Sequence, residues 1–174
     1  MRRGGSHAGA VGHGVCLERP PQGRNNAEPS FSDNALTLSA DGALSGLGNG
    51  DVLVTLTATA DVTSTCTNQG GNQSPRQNPA PITVSGSQAI PEAELKNGTT
   101  PFGVETVAPP TIIAGAPDCP NTNWTEAIDD LAFTSATITV EQPVGTLVLT
   151  VSCSLDPATA DGSVPAGDVS CTQS

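Results

Sequence analysis

The clearest feature of the chain is a run of strict alternation. From residue 52 to residue 66 the even positions are Val52, Val54, Leu56, Ala58, Ala60, Val62, Ser64 and Cys66. From Leu56 onward the odd positions are Thr57, Thr59, Asp61, Thr63 and Thr65. Side chains on a strand point to opposite faces with period two, so the pattern predicts one long strand with its even face buried and Cys66 in phase with that face. A second alternating pair follows near the C-terminus. Ala136, Ile138 and Val140 alternate with Thr137, Thr139 and Glu141, and Leu147, Leu149, Val151, Cys153 and Leu155 alternate with polar or β-branched residues. Pro143-Val144-Gly145 between them is turn chemistry, so a hairpin is predicted there, with Cys153 on its apolar face.

Weaker segments complete the reading. Ala35–Ser39 is a candidate first strand, and the four glycines between Gly42 and Gly50 read as a turn. Ile82–Ile90 is another strand, with Ile82, Val84 and Ile90 in phase. Asn97-Gly98 predicts a tight hairpin joining a strand that ends near Leu95 to one running through Phe102 and Val104. The competing reading is a short helix over Pro91–Lys96, with Pro at its start and Gly98 past its end. Residues 67–81 and 108–124 are polar, Pro-rich loops. A last strand is expected over Asp168–Thr172, after a loop at 156–167. Residues 1–29, rich in Gly, Arg and Asn without a period, read as a disordered tail. About seven strands and no clear helix over residues 30–174 predict an all-β domain. The turn spacing fits an immunoglobulin-like, two-sheet Greek-key sandwich.

Composition sharpens this picture. The core has to be built from Val, Leu, Ile and Ala, since the 174 residues include three Phe, one Trp and no Tyr. The net charge is −11, and four of the six basic residues lie in the first 24 positions. From residue 30 onward Arg76 and Lys96 stand against 15 of the 17 acids, a net charge of −13. Such a surface repels phosphate backbones and anionic lipid, so neither nucleic acid nor membrane insertion is expected. No stretch has the roughly 18–20 apolar residues of a membrane span.

Five cysteines, with no CxxC pair and no His near them, lack zinc-ligand spacing. Four of them, Cys66, Cys119, Cys153 and Cys171, read as two disulfides and therefore as an oxidising, extracellular or cell-surface location. Cys153 and Cys171 lie on consecutive predicted strands. A Cys66–Cys119 bond would staple two long loops. The rival pairing is Cys66–Cys153, bridging two apolar faces. Cys16 is left free. The start Met-Arg-Arg suits a secretory signal, but the Gly-rich stretch after it is too polar for a signal core. Either the protein leaves the cell by another route or, the reading preferred, residues 1–28 or so are a misassigned start or an added segment.

Catalytic chemistry is poorly supplied. Both His7 and His13 lie in the tail, Lys96 sits beside a turn, and Asp129-Asp130 reads as part of a solvated loop. No catalytic residue and no cofactor are expected. The acids of the 156–168 loop read as an ordinary turn, with calcium as the alternative. The sequons Asn97-Gly-Thr and Asn123-Trp-Thr matter only where the source glycosylates them. Trp124 is the single aromatic that a glycan could stack on, and Asn72 and Gln73 in the amide-rich loop are the polar candidates beside it. Burial of Trp124 against a disulfide competes with that role.

The segments CTNQGGN (66–72), QNPAPITVSGSQ (77–88), KNGTTPFGV (96–104) and GAPDCPNTNWTEAIDDLAFTSATITV (115–140) resemble small secreted β-rich bacterial proteins of actinobacterial type. The resemblance implies export and pairing of the CTN and PDCPN cysteines, and carries no activity with it. In composition alone the chain is similar to the acidic, Thr/Ala/Gly-rich sandwiches that carry enediyne chromophores. The function that follows is a non-enzymatic secreted or cell-surface module acting by binding or structure. The alternatives are a carrier of a small apolar ligand between sheets and a carbohydrate-binding domain. Its partner would be a protein, a glycan or a small molecule.

Overall fold

A computed structural model describes residues 14–18, 28–75, 80–96 and 98–174. The fold is all-β, with 58% of the described residues in strands and 4% in helix, in two antiparallel sheets. Twelve strands are formed among the described residues: β1 (Cys16–Glu18), β2 (Ser30–Asp33), β3 (Leu38–Ser45), β4 (Val52–Thr67), β5 (Gln73–Pro75), β6 (Ile82–Ile90), β7 (Thr99–Glu105), β8 (Ile112–Ile113), β9 (Thr125–Glu141), β10 (Leu147–Leu155), β11 (Gly162–Ser163) and β12 (Val169–Gln173).

The smaller sheet is centred on β3. Strands β1 and β2 pair with successive halves of β3, β7 pairs with it as well, and β11 adds to β2. The larger sheet runs β6-β4-β9-β10-β12, with β5 and β8 as short additions to β4 and β9. The alternation of β4 is realised in full. Val52, Val54, Leu56, Ala58, Ala60 and Cys66 are buried, while Thr55, Thr57 and Thr59 are half-exposed on the other face. Against the buried face lie Phe31, Leu38, Ala40 and Leu44 from β2 and β3 and Phe102 and Val104 from β7, in one cluster with Ile138, Val140 and Val151. Each fully buried Val, Leu, Ile or Phe contributes about 1.5–3 kcal/mol relative to exposure, which is how a core with so few aromatics holds together.

Several sequence expectations need correction. The predicted hairpin around Asn97-Gly98 does not form. The chain makes a single 3-10 turn at Glu92–Glu94 after Pro91, and β7 then pairs with β3 in the other sheet. That turn is what the competing short-helix reading foresaw. Asn97 itself lies outside the described residues. Ala35 is no strand residue. It adopts φ 63° in the turn between β2 and β3, and Gly42, expected in a turn, lies inside β3. Asp129-Asp130 is part of β9 rather than a solvated loop. Cys16–Glu18, within the segment read as a tail, pairs with Ala43–Ser45 and buries Leu17 against the core. The rest of the tail, residues 1–13 and 19–27, lies outside the described residues.

Both disulfides follow the strand-based expectation. Cys66–Cys119 has its Cα atoms 5.7 Å apart and ties the end of β4 to the 108–124 loop. Cys153 and Cys171 face each other in register on β10 and β12, with Cα atoms 4.1 Å apart. Cys16 is free and exposed, its Sγ 3.0 Å from Ser45 Oγ.

Candidate functional site

The register of the larger sheet assembles an array that no single strand shows. Thr55 is paired with Ser87 on one side and Thr139 on the other, Thr139 with Thr150, and Thr150 exchanges both backbone hydrogen bonds with Ser174. One step along, Thr57 lies between Ser85 and Thr137, and the row continues through Ser152 to Thr172. The third row is Thr83, Thr59, Ser135, Ser154 and Ser170. The outer face of β6, β4, β9, β10 and β12 therefore carries three rows of five hydroxyl side chains. Neighbouring strands are about 4.8 Å apart and positions two residues apart on a strand about 6.8 Å, and the usual sheet twist turns each strand relative to the next.

The grid is uncharged and open. The Thr residues of β4, β9 and β10 are half-exposed, as expected for side chains shoulder to shoulder, and those of β6 and β12 are exposed. Among the described residues only Ser154 of these fifteen uses its hydroxyl within the protein, donating to the Ser170 carbonyl at 3.4 Å. Charge begins at the borders: Asp61 is one step beyond Thr59 on β4, and Glu141 one step beyond Thr139 on β9. Each Thr presents a methyl and a hydroxyl, and its branched Cβ leaves few χ1 options. The face thus offers hydrogen-bonding groups already held in place.

Other features are local. A shallow groove of about 500 Å³ lies where the chain leaves β6 for β7, lined by Gln88, Ile90, Ala93, Leu95, Lys96 and Thr100 among others. A buried polar cluster sits where β2, β9 and the 156–161 loop meet. The Thr159 hydroxyl donates to Asp33 Oδ2, Asp33 Oδ1 accepts from the Ala35 N–H at 3.0 Å, and Thr159 Oγ1 accepts from the Phe133 N–H at 2.8 Å. Burial pushes the Asp33 carboxyl above the usual carboxylate range, and the nearby Asp130 and Asp161 push it the same way against the two hydrogen bonds. Asp130 Oδ1 is buried and has no hydrogen-bond partner among the described residues. This cluster clips the 156–161 loop onto β2 and β9. Among the described residues no group of three or more His, Cys, Asp or Glu is arranged to hold a metal ion.

Trp124 is half-buried rather than projecting, just before β9. Asn72 and Gln73 are exposed, and Gln73 lies opposite Thr67, which also pairs with Thr125. The three candidates are therefore gathered at one end of the larger sheet beside the Cys66–Cys119 bond. They stand apart from the hydroxyl rows. Lys96 lines the groove, and His7 and His13 lie outside the described residues. In the sequence the Thr positions stand strand by strand as the solvent side of an alternation, and the cross-strand register that assembles them is not written there. No helix among the described residues is long and apolar enough to cross a membrane. Compared with protein-family models, with curated proteins and with solved structures, the chain matches none.

Proposed function

We propose that the chain is a non-enzymatic secreted or cell-surface module that binds through the outer hydroxyl face of its larger sheet. The observation that carries the reading is the uncharged three-by-five Ser/Thr grid on a chain whose body is strongly acidic. The two disulfides support an oxidising, extracellular location. The filled space between the sheets, where Leu38, Leu56, Phe133 and Ile138 are fully buried, speaks against a carrier with its ligand between them. The half-buried Trp124 speaks against a glycan site built on stacking. An immunoglobulin-like Greek key is supported by the return of β7 beside β3 after the β4–β6 hairpin in the other sheet.

The test is a panel of solids bearing ordered polar surfaces: cellulose, chitin, peptidoglycan and ice. Binding to any of them that is lost in Thr57→Lys and Thr137→Lys, and kept in Asp41→Lys on the other sheet, supports the face as the working surface. Binding that survives both face variants overturns it.

A further inference from the structure

The 156–164 segment crosses from β9 in the larger sheet to β2 in the smaller one, and it is fastened around a buried carboxyl that has no positive partner. We propose that this segment is a pH-operated clip, closed while Asp33 keeps its proton and released as that proton leaves. Thr159 is bonded twice to Phe133 of β9, its N–H donating to the carbonyl at 2.9 Å and its Oγ1 accepting from the N–H at 2.8 Å. Further on, Gly162 and Ser163 pair with Asp33 and Ser32, and the Val164 N–H donates to the Phe31 carbonyl at 2.9 Å. The Asp33 side chain holds these two attachments together, accepting from the Thr159 hydroxyl and from the Ala35 N–H. Among the described residues β11 is the strand that covers the outer side of β2. Release of the segment therefore leaves β2 as a bare sheet edge.

The surroundings of Asp33 suit a neutral group. Asp33 is 3% exposed and Thr159 8%. A carboxylate so placed needs an opposite charge or a full set of donors. No Lys, Arg or His occurs in β2, β3, β7, β9 or residues 155–168. Every charged side chain on those elements is an acid. Asp130 on β9 and Asp161 on the segment both act against ionisation of Asp33. Asp156 and Asp168 lie at the two ends of the same loop. Glu105 on β7 accepts from Asn34 and Thr37, and Asp129 on β9 accepts from Thr65. Asp130 Oδ1 is itself buried with no hydrogen-bond partner among the described residues, so it adds charge to the cluster without a donor to match it. The protonated form keeps the clip intact. Thr159 Oγ1 uses one lone pair on the Phe133 N–H and has a second for an Asp33 O–H. The ionised form puts a further negative charge among acids and out of water, and opening the segment is what restores its hydration. Such an opening is local, since it breaks the Thr159, β11 and Val164 bonds and leaves the β4–β9 and β9–β10 ladders in place.

The experiment is amide hydrogen exchange on the whole chain, followed by NMR between pH 4 and pH 8. The reporters are the Thr159 and Val164 amides, and the reference is the Val107 amide, which donates to the Ser85 carbonyl of β6. Opening releases one proton between the ordinary carboxylate value of 3.8 and the higher folded value. Across that window the two reporters are expected to exchange faster by up to about tenfold per pH unit beyond the rise that hydroxide catalysis gives every amide. Val107 is expected to show no excess. Asp33→Asn, which stays neutral, is expected to remove the excess at both reporters. Asp130→Asn, which removes one of the opposing charges, is expected to move the excess to lower pH, and it decides the matter if Asp33→Asn does not fold. Reporters that follow hydroxide catalysis alone in the wild type overturn the inference. So does an excess shared equally by Val107, because the opening is then global. An excess that persists in Asp33→Asn, or one that keeps its pH range in Asp130→Asn, also overturns it, because another group is then in control.

Discussion

The most demanding point in the fold is Gly86, and replacing it with Ala tests the packing of the two sheets against each other. Gly86 lies on β6 opposite Leu56, where the backbone leaving β7 passes over it. A Cβ placed there would sit 1.9 Å from the Glu105 carbonyl oxygen and 2.9 Å from both the Glu105 carbonyl carbon and the Thr106 Cα. All three atoms are backbone, so no rotamer change relieves the clash. The 105–107 segment has to move away by more than 1 Å, roughly the shortfall from ordinary contact at about 3.5 Å. That segment is held by the Val107 N–H to the Ser85 carbonyl at 2.9 Å and by the Thr106 N–H to the Leu38 carbonyl at 3.0 Å. Overpacking costs about 1–3 kcal/mol, and loosening the two hydrogen bonds adds about 1 kcal/mol each. A loss of about 3–5 kcal/mol is expected. For a domain of this size that lowers the melting temperature by about 6–20 °C. Urea denaturation at constant slope and thermal melting followed by circular dichroism both measure it. Gly167→Ala, with open space around its Cβ, is the control and is expected to stay within about 1 kcal/mol of the wild type. If Gly86→Ala melts with the wild type, the close approach of β6 and the Glu105 carbonyl is wrong.

Further outcomes follow from the same structure. Removing Cys153–Cys171 by Cys→Ser at both positions should cost about 3 kcal/mol, and removing Cys66–Cys119 about 4 kcal/mol, because the loop-entropy cost grows with the chain length enclosed; equal melting of either double variant and the wild type would contradict this. The Asp33 carboxyl holds its proton more tightly when folded, so the stabilisation from that proton is complete below the ordinary carboxylate value of 3.8 and is lost as pH rises through the higher folded value. The stability difference between Asp33→Asn and the wild type, measured by urea midpoints, should therefore move in favour of Asn as pH rises and shrink in acid; a flat or opposite trend would refute it. Duplex DNA should not bind at physiological salt, and a micromolar complex that weakens steeply with added salt would overturn the charge argument.

How much of the fold can be read from the sequence depends on where the alternation keeps its phase. On β4 and on the 136–155 hairpin it does, and the buried positions follow residue by residue, including Cys66 and Cys153. The first half of β9 breaks phase. Its buried residues Ile128 and Leu131 are three apart, and the pairing with β4 shifts register between Thr63 and Ser64 and again between Thr59 and Ala60. A bulge inserts one residue and moves every later side chain to the other face. That is why Asp129-Asp130 reads as a loop in the sequence and sits in a strand in the structure. The misread hairpin at 91–104 has a different cause. Asn-Gly marks a reversal, but a reversal does not name the strand that β7 pairs with after it, and here that strand is β3, far back in the chain.

The hydroxyl rows show the same limit from the other side. Thr on the solvent face of a strand serves β propensity and solubility at once, so each Thr taken alone needs no further role. What calls for explanation is the position of the charges. An acidic protein that only needed solvation would do well to scatter Asp and Glu over its broadest exposed sheet, since like-charged faces keep copies of a β protein apart. Here the acids on β4 and β9 are Asp61, Glu126, Asp129, Asp130 and Glu141, all outside the three rows, and no Lys or Arg enters the rows. A face that gives up electrostatic protection across five strands while leaving all of its hydroxyls but that of Ser154 unengaged among the described residues is arranged for contact. The register that aligns Thr55 with Thr139 and Thr150, and Thr57 with Thr137 and Ser152, turns five ordinary strands into one surface.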